Sequence, residues 1–216
     1  NLFPGNWFWT ANVLFALLLA LAVRRAPWYR LKDGEQLNVW LGACVFLMVL
    51  WSIKTGLRPG LNFHLLGVTA LTLMMGPELA FLGVAIVLAG VTLFGGAGWQ
   101  SFSLNALCMG LVPVAVSYTI YRLADRYLPK NFFVYVFVNA FFASALSIAA
   151  AGLVSSGLMW LSGAYRGTYL AEQYLPYFIL MAWSEAMMGG MAMSMMVAYR
   201  PQWVSTFDDA LYIRNK

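Results

Sequence analysis

Charge is scarce in this chain. Charged residues make up 10% of its 216 residues, against ~25% in an average soluble domain, which excludes an ordinary water-soluble fold. Histidine occurs once, at His64. That excludes a metal site built from imidazoles alone, because transition metals want three or four donors. Cysteine occurs twice, and both Cys44 and Cys108 lie mid-segment in apolar surroundings. A disulfide framework is thereby excluded, and two buried thiols are expected. The chain has no glycine-rich phosphate loop, no Cys-x-x-Cys pair and no Ser-His-Asp order, so neither a nucleotide site nor an acyl-transfer centre is supported. Its length leaves no room for a separate soluble catalytic domain. The first apolar segment lacks a basic flank before it and a small-residue cleavage site after it, so no cleavable signal peptide is expected.

Apolar residues are abundant, at 62% of the chain. A helix needs ~20 of them to cross the hydrocarbon core. Candidate spans are 8–23, 38–54, 103–121, 132–160 and 174–198. The remaining block, 63–95, is too long for one helix and is interrupted by Gly76-Pro77-Glu78. Proline suits the first turn of a helix, and an acidic residue there complements the positive end of the dipole. The block therefore reads as a hairpin of 63–75 and 77–95 with a short first arm.

Basic residues support the resulting count of seven. Arg24, Arg25, Arg30, Lys32, Arg122, Arg126, Lys130, Arg200, Arg214 and Lys216 then share one face, and Lys54, Arg58 and Arg166 fall on the other. The positive-inside rule puts the N-terminus outside and the C-terminus in the cytoplasm. The same rule accounts for the net charge of +5 without nucleic acid. Trp7, Trp9, Trp28, Trp51, Trp99, Trp160 and Trp203 sit near span ends, as an aromatic belt requires. The expected fold is all-α: a polytopic, multi-pass membrane protein of about seven helices. One transmembrane domain is expected over 1–199, and a cytoplasmic tail over 200–216.

Small residues recur every four positions in two helices. One set is Ala182, Ala186, Gly190, Ser194 and Ala198, and the other is Ala143, Ser147, Ala151 and Ser155. Such stripes let helix backbones approach closely in lipid, so these helices are expected to pack together.

Two polar groups stand out in apolar runs. His64 is expected just inside the outer end of the third helix. It is either an interfacial histidine bonded to a neighbouring carbonyl or a ligand facing an outward pocket. Further donors would come from the N-terminus, Asn62, Asn105, Cys44, Cys108 or methionine. Glu185 lies mid-helix, where a charge costs ~2.5–3.5 kcal/mol on insertion scales. It either bonds structurally to another helix or serves a ligand. Methionines 181, 187, 188, 191, 193, 195 and 196 crowd the last helix. Thioethers select Cu(I), but packing is the simpler reading of a flexible filler residue.

The blocks His64-Leu65-Leu66-Gly67, Met75-Gly76-Pro77, Val87-Leu88, Phe94-Gly95-Gly96, Leu104-Asn105 and Met109-Gly110 occur in that order, followed by Glu185 and Gly189. Together they resemble the integral membrane substrate-binding component of cobalt/nickel energy-coupling factor transporters, the CbiM/NikM type. The resemblance implies capture of a small ligand, Ni²⁺ or Co²⁺, from the outer side of the inner membrane. It also implies a transmembrane coupling subunit and cytoplasmic ATP-binding subunits as partners, and no covalent chemistry in this chain. In that family an N-terminal Met-His-Ile-Pro-Asp-Gly folds back, and its terminal amine and two histidines bind the metal. The second of these matches His64. With one methionine ahead of Asn1, Asn1 falls where the first histidine should be, and Cys108 replaces an often polar residue. This departure predicts weak or absent Ni²⁺ and Co²⁺ binding, since an amide is a poorer ligand than imidazole. Leu2, Phe3 and Pro4 are apolar, and the N-terminal segment is still expected to meet His64. The alternative is an accessory subunit of a larger membrane complex that kept the fold and lost the metal site.

Overall fold

The structure, a computed structural model, describes residues 3–214, without the side chains of residues 213 and 214. It is mostly helical. Among the described residues four helices are long and apolar enough to cross a membrane: α1 (Gly5–Arg25), α2 (Gly34–Ser52), α5 (Trp99–Tyr127) and α6 (Phe132–Leu161). Between α2 and α5 lie α3 (Val68–Met75) and α4 (Pro77–Leu93), and after α6 come α7 (Gly167–Gln173) and α8 (Tyr177–Tyr199). All but α7, which was not expected, fall on the expected segments. A short strand pair, β1 (Thr55–Arg58) and β2 (Leu61–Phe63), runs antiparallel and departs from a purely helical fold. Pro59 and Gly60 turn it, and Gly60 takes the left-handed φ of 81° that a type II turn requires at its third position.

The break in the central block falls where the sequence placed it. Pro77 opens α4 and Glu78 sits in its first turn, while Gly76, at φ 85°, ends α3. The short arm is shorter than expected, because α3 begins at Val68 rather than at residue 63. Its eight residues rise about 12 Å, less than half the core of a bilayer. Residues 64–67 have no regular structure.

The two ends of the bundle are distinguished by their contacts. At one end, the Arg30 guanidinium reaches the Met75 carbonyl at 3.5 Å. Ser205 N–H donates to the Met74 carbonyl (2.9 Å) and the Thr206 hydroxyl to that of Leu73 (2.8 Å). Tyr135 and Thr206 hydroxyls meet at 2.6 Å, and Trp203 Nε1 donates to Glu35 (2.8 Å). The α1–α2 loop, the hairpin tip and the segment after α8 are thus fastened together. At the opposite end, the Tyr165 hydroxyl donates to the Pro59 carbonyl (2.7 Å), Arg58 lies 4.8 Å over the Tyr169 ring, and Lys54 bonds the Gly96 carbonyl.

α6 and α8 share the broadest helix contact. A Cβ at Gly189 would strike the Ser144 hydroxyl, and one at Gly190 would lie 3.2 Å from the Phe141 ring. Ala186, Gly189, Gly190, Met193 and Val197 are buried, but Ser194 and Ala182 are only partly so and Ala198 is exposed. The expected stripe therefore leaves the interface at its lower end. With 3.6 residues per turn, each four-residue step rotates about 40° beyond a full turn, so five such positions cannot stay on one line. Trp51 is likewise no belt residue. It is 2% exposed and belongs to the core.

Candidate functional site: a clipped loop beside a cavity

His64 lies not on a helix but in the extended stretch ahead of α3. This placement corrects the expected helical one, and it poses a physical problem. Backbone N–H groups at membrane depth must find protein acceptors, because lipid offers none, and the first N–H groups of a helix have no partner within it. Glu185 supplies the acceptors. One carboxylate oxygen accepts from Leu66 N–H (2.8 Å) and the other from Gly67 N–H (2.6 Å). The carboxylate also stands at the positive end of the α3 dipole, where an anion is favoured. From the other side Trp51 Nε1 donates to the Leu66 carbonyl at 2.9 Å. Gly67 takes φ 63°, and a Cβ there would meet Leu47 Cδ2 at 2.5 Å, so glycine is required twice over. Of the two readings of Glu185, the structure realises the interhelical one. The carboxylate holds the loop that carries His64.

The Trp51 and His64 rings lie 5.0 Å apart between centroids. His64 Nδ1 lies 3.1 Å from the Leu65 carbonyl, which fixes the Nδ1–H tautomer and leaves the lone pair on Nε2. The Nε2 lone pair makes the ring a competent donor.

A cavity of about 510 Å³ opens at this end of the bundle, with His64, Asn62 and Asn105 in its wall. Phe3 and Phe8 line it too, so the chain from residue 3 onward meets the His64 cavity as expected. Asn1 lies outside the described residues. Asn105 comes from the start of α5, where its amide donates weakly to Ser101 (3.4 Å). Just below, Leu107–Leu111 is a π-helical turn. Pro113 four residues after Met109 cannot donate to that carbonyl, and a π-turn absorbs the misfit. The wider turn brings Met109 to the cavity. Gly110 permits the close passage of α4, since a Cβ there would be 2.9 Å from Val84.

The other candidate donors are not in this wall. Cys108 is buried behind it. Cys44 faces the opposite side, against the Gly83 carbonyl at 3.9 Å. The methionines of α8 disperse. Met181 faces a water-sized void behind His64, Met188 lines a groove against α2, and Met187, Met191 and Met195 are exposed. They form no single soft-ion path. Among the described residues no three His, Cys, Asp or Glu side chains gather in a metal-binding group. The sequence reading missed Trp51 and Lys54, which carried no signal beyond their positions near a span end.

Over residues 1–203 the chain matches the family described as CbiM, cobalt uptake substrate-specific transmembrane region. The chain belongs to this family. It is a multi-pass membrane protein of a transport family. A Methanosarcina barkeri protein named for cobalt transport, CbiM 1, is 29% identical over 138 residues. The match spans 63% of this chain and 59% of that relative's own length. Two solved structures have the same fold. One is a truncated transition metal transporter (TM-score 0.79, 18% identity), covering 92% of this chain and 96% of that one. The other is a transition metal transporter (TM-score 0.76, 18% identity), covering 91% and 90%.

Proposed function

We propose that this chain is the ligand-capturing membrane subunit of an energy-coupling factor uptake system for a transition metal, with the His64 cavity as its outward-facing capture site. One observation carries the reading: His64 is held in a cavity wall by a buried clip, at the end of the bundle opposite the basic loops. An imidazole fixed by its neighbours is a preorganised donor. In this reading seven helices cross the inner membrane with the N-terminus outside. Residues 1–199 form the transmembrane domain, and 200–216 lie on the cytoplasmic side with the α1–α2 loop and the hairpin tip. A transmembrane coupling subunit and ATP-binding subunits engage that cytoplasmic end. The site residues are His64, Asn62 and Asn105, with Glu185 and Trp51 holding the loop. The chain performs no covalent chemistry.

The reading is tested in cells that express the transporter with its partner subunits. Uptake of radiolabelled Co²⁺ or Ni²⁺ should fall at least tenfold in His64→Ala, while Gly157→Ala, remote from the cavity, leaves it unchanged. Equal uptake by His64→Ala would remove the capture site from the cavity. The scarcity of donors among the described residues favours, as the second reading, an accessory subunit without metal binding. Co-purification separates the two, since ATP-binding partners accompany a transporter and other membrane subunits an accessory chain.

A further inference from the structure

α3 does not complete itself. Its eight residues fall short of the ~12–15 at which even a favourable isolated helix becomes marginal in water. Both of its ends are finished from outside, and largely by one stretch of chain. At the N-terminal end, Glu185 of α8 takes the Leu66 and Gly67 N–H groups. At the other end the last four carbonyls of a helix have no partner within it, and here each finds one. Thr72 accepts from Gly76 N–H (2.9 Å), Leu73 from the Thr206 hydroxyl (2.8 Å), Met74 from Ser205 N–H (2.9 Å) and Met75 from Arg30 (3.5 Å). Ser205 and Thr206 lie in the segment 200–212 that follows α8, which straps the hairpin tip. The strap is anchored on α6, where Phe207 and Tyr212 pack on the Tyr135 ring at 4.9 and 5.2 Å between centroids. Its outer edge, with Gln202, Ser205 and Asp208, is exposed. Between its ends α3 is buried mostly among apolar side chains, a contact without direction. Thr69 bonds Ser117 (2.7 Å) and Ser147 (2.9 Å), whereas Thr72 bonds back to the Val68 carbonyl. A helix of little more than two turns has no middle to insulate one end from the other. Its hydrogen bonds form and break together.

We propose that α3 couples the two ends of the molecule, so that the strap sets how firmly the His64 loop is clipped and Thr206 is a remote positioning residue for His64. Displacing the strap uncovers the Leu73 and Met74 carbonyls. α3 then frays from its C-terminal end, and Leu66 and Gly67 come away from Glu185. The bearing of this on ligand handling rests on the capture-subunit reading above: a cytoplasmic partner that takes hold of the strap loosens the His64 loop on the far side. The coupling is reciprocal, as any equilibrium coupling between two sites must be. Opening the clip therefore loosens the strap.

Hydrogen exchange at single backbone amides, on the full-length protein in lipid nanodiscs without added metal, tests this. Thr206→Val keeps the side-chain shape and removes its hydroxyl bonds to Leu73 and Tyr135. It should speed exchange at Leu66 and Gly67 at least fivefold while amides in the middle of α2 stay at the wild-type rate. Thr206→Ser, which keeps the hydroxyl, should leave Leu66 and Gly67 unchanged. In the reverse direction, Glu185→Gln should speed exchange at Ser205 and Thr206 by a similar factor. Wild-type rates at Leu66 and Gly67 in Thr206→Val overturn the inference. So does an equal rise across every helix, which would mean that the strap supports only overall stability. If Thr206→Val does not fold, Glu185→Gln and Tyr135→Phe decide the matter. Tyr135→Phe should then speed Leu66 and Gly67 at least twofold, and wild-type rates there, or at the strap amides of Glu185→Gln, overturn the coupling. Because no metal is present, failure here removes the coupling alone, and the uptake of His64→Ala decides the capture reading separately.

Discussion

The residue that holds the His64 loop does so through main-chain bonds. Glu185 accepts two backbone N–H bonds with its two oxygens, and an amide cannot repeat this, because its nitrogen is a donor. Glu185→Gln should therefore lose one bond and oppose two donors, at about 1–3 kcal/mol. Glu185→Ala, which orphans both N–H groups, should cost more. Thermal unfolding in detergent checks the order, and identical midpoints for wild type and Gln variant would refute the clip. Trp51→Phe keeps a ring beside His64 and removes only the donor to Leu66, so about 1 kcal/mol is expected. A carboxylate deep in an apolar run was legible in the sequence as a group that must be satisfied. Its partners were not, because they are main-chain atoms, and any residue supplies those. Trp51 hid for a related reason: a tryptophan at a span end looks the same whether it faces headgroups or core.

Among elements, the α3–α4 hairpin was legible because Gly76 and Pro77 leave little choice. The stretch 61–67 was not. A short apolar run such as Leu61-Asn62-Phe63-His64-Leu65-Leu66 fits a strand or a buried helix equally well, and tertiary contacts to α2 and α8 settle it as extended chain. The α6–α8 contact was legible in kind, since small residues announced it, but its line was drawn one residue off. The structure moves the critical position to Gly189. Gly189→Leu should push α8 away from Ser144 and lower thermal stability markedly, whereas Gly190→Leu, against the edge of a ring, should be milder. Gly157→Ala on α6 meets nothing within 4 Å and should stabilise by roughly 0.5–1 kcal/mol through helix propensity. A larger loss at Gly157 than at Gly189 would show that the interface lies elsewhere.

For the whole molecule, the basic loops distinguish the two ends, and the fold brings those loops together. Arg30 touches the hairpin tip, and the segment after α8 pairs with the same tip through Leu73 and Met74. Reporter fusions after residues 30, 126 and 210 should all read cytoplasmic, and one at residue 166 external. An external signal at 126 would sink the seven-crossing arrangement. Ending the chain at Tyr199 should strip partners from the Leu73 and Met74 carbonyls and from Tyr135. Its unfolding midpoint should fall even though every helix from α1 to α8 is retained.

The same clip fixes an order of events during synthesis. Gly67 and its acceptor Glu185 are 118 residues apart, which at about 5–20 residues per second is a delay of roughly 6–24 s on the ribosome. Until α8 arrives, the start of α3 has two amides with nowhere to go, and α3 alone is too short to hold itself across a bilayer. A nascent chain halted before α8 should therefore leave Cys or protease probes near residue 64 accessible, and release of the halt should close them. The His64 loop is fixed only once α8 is in place, and a chain that fails to complete its final helix never acquires the clip.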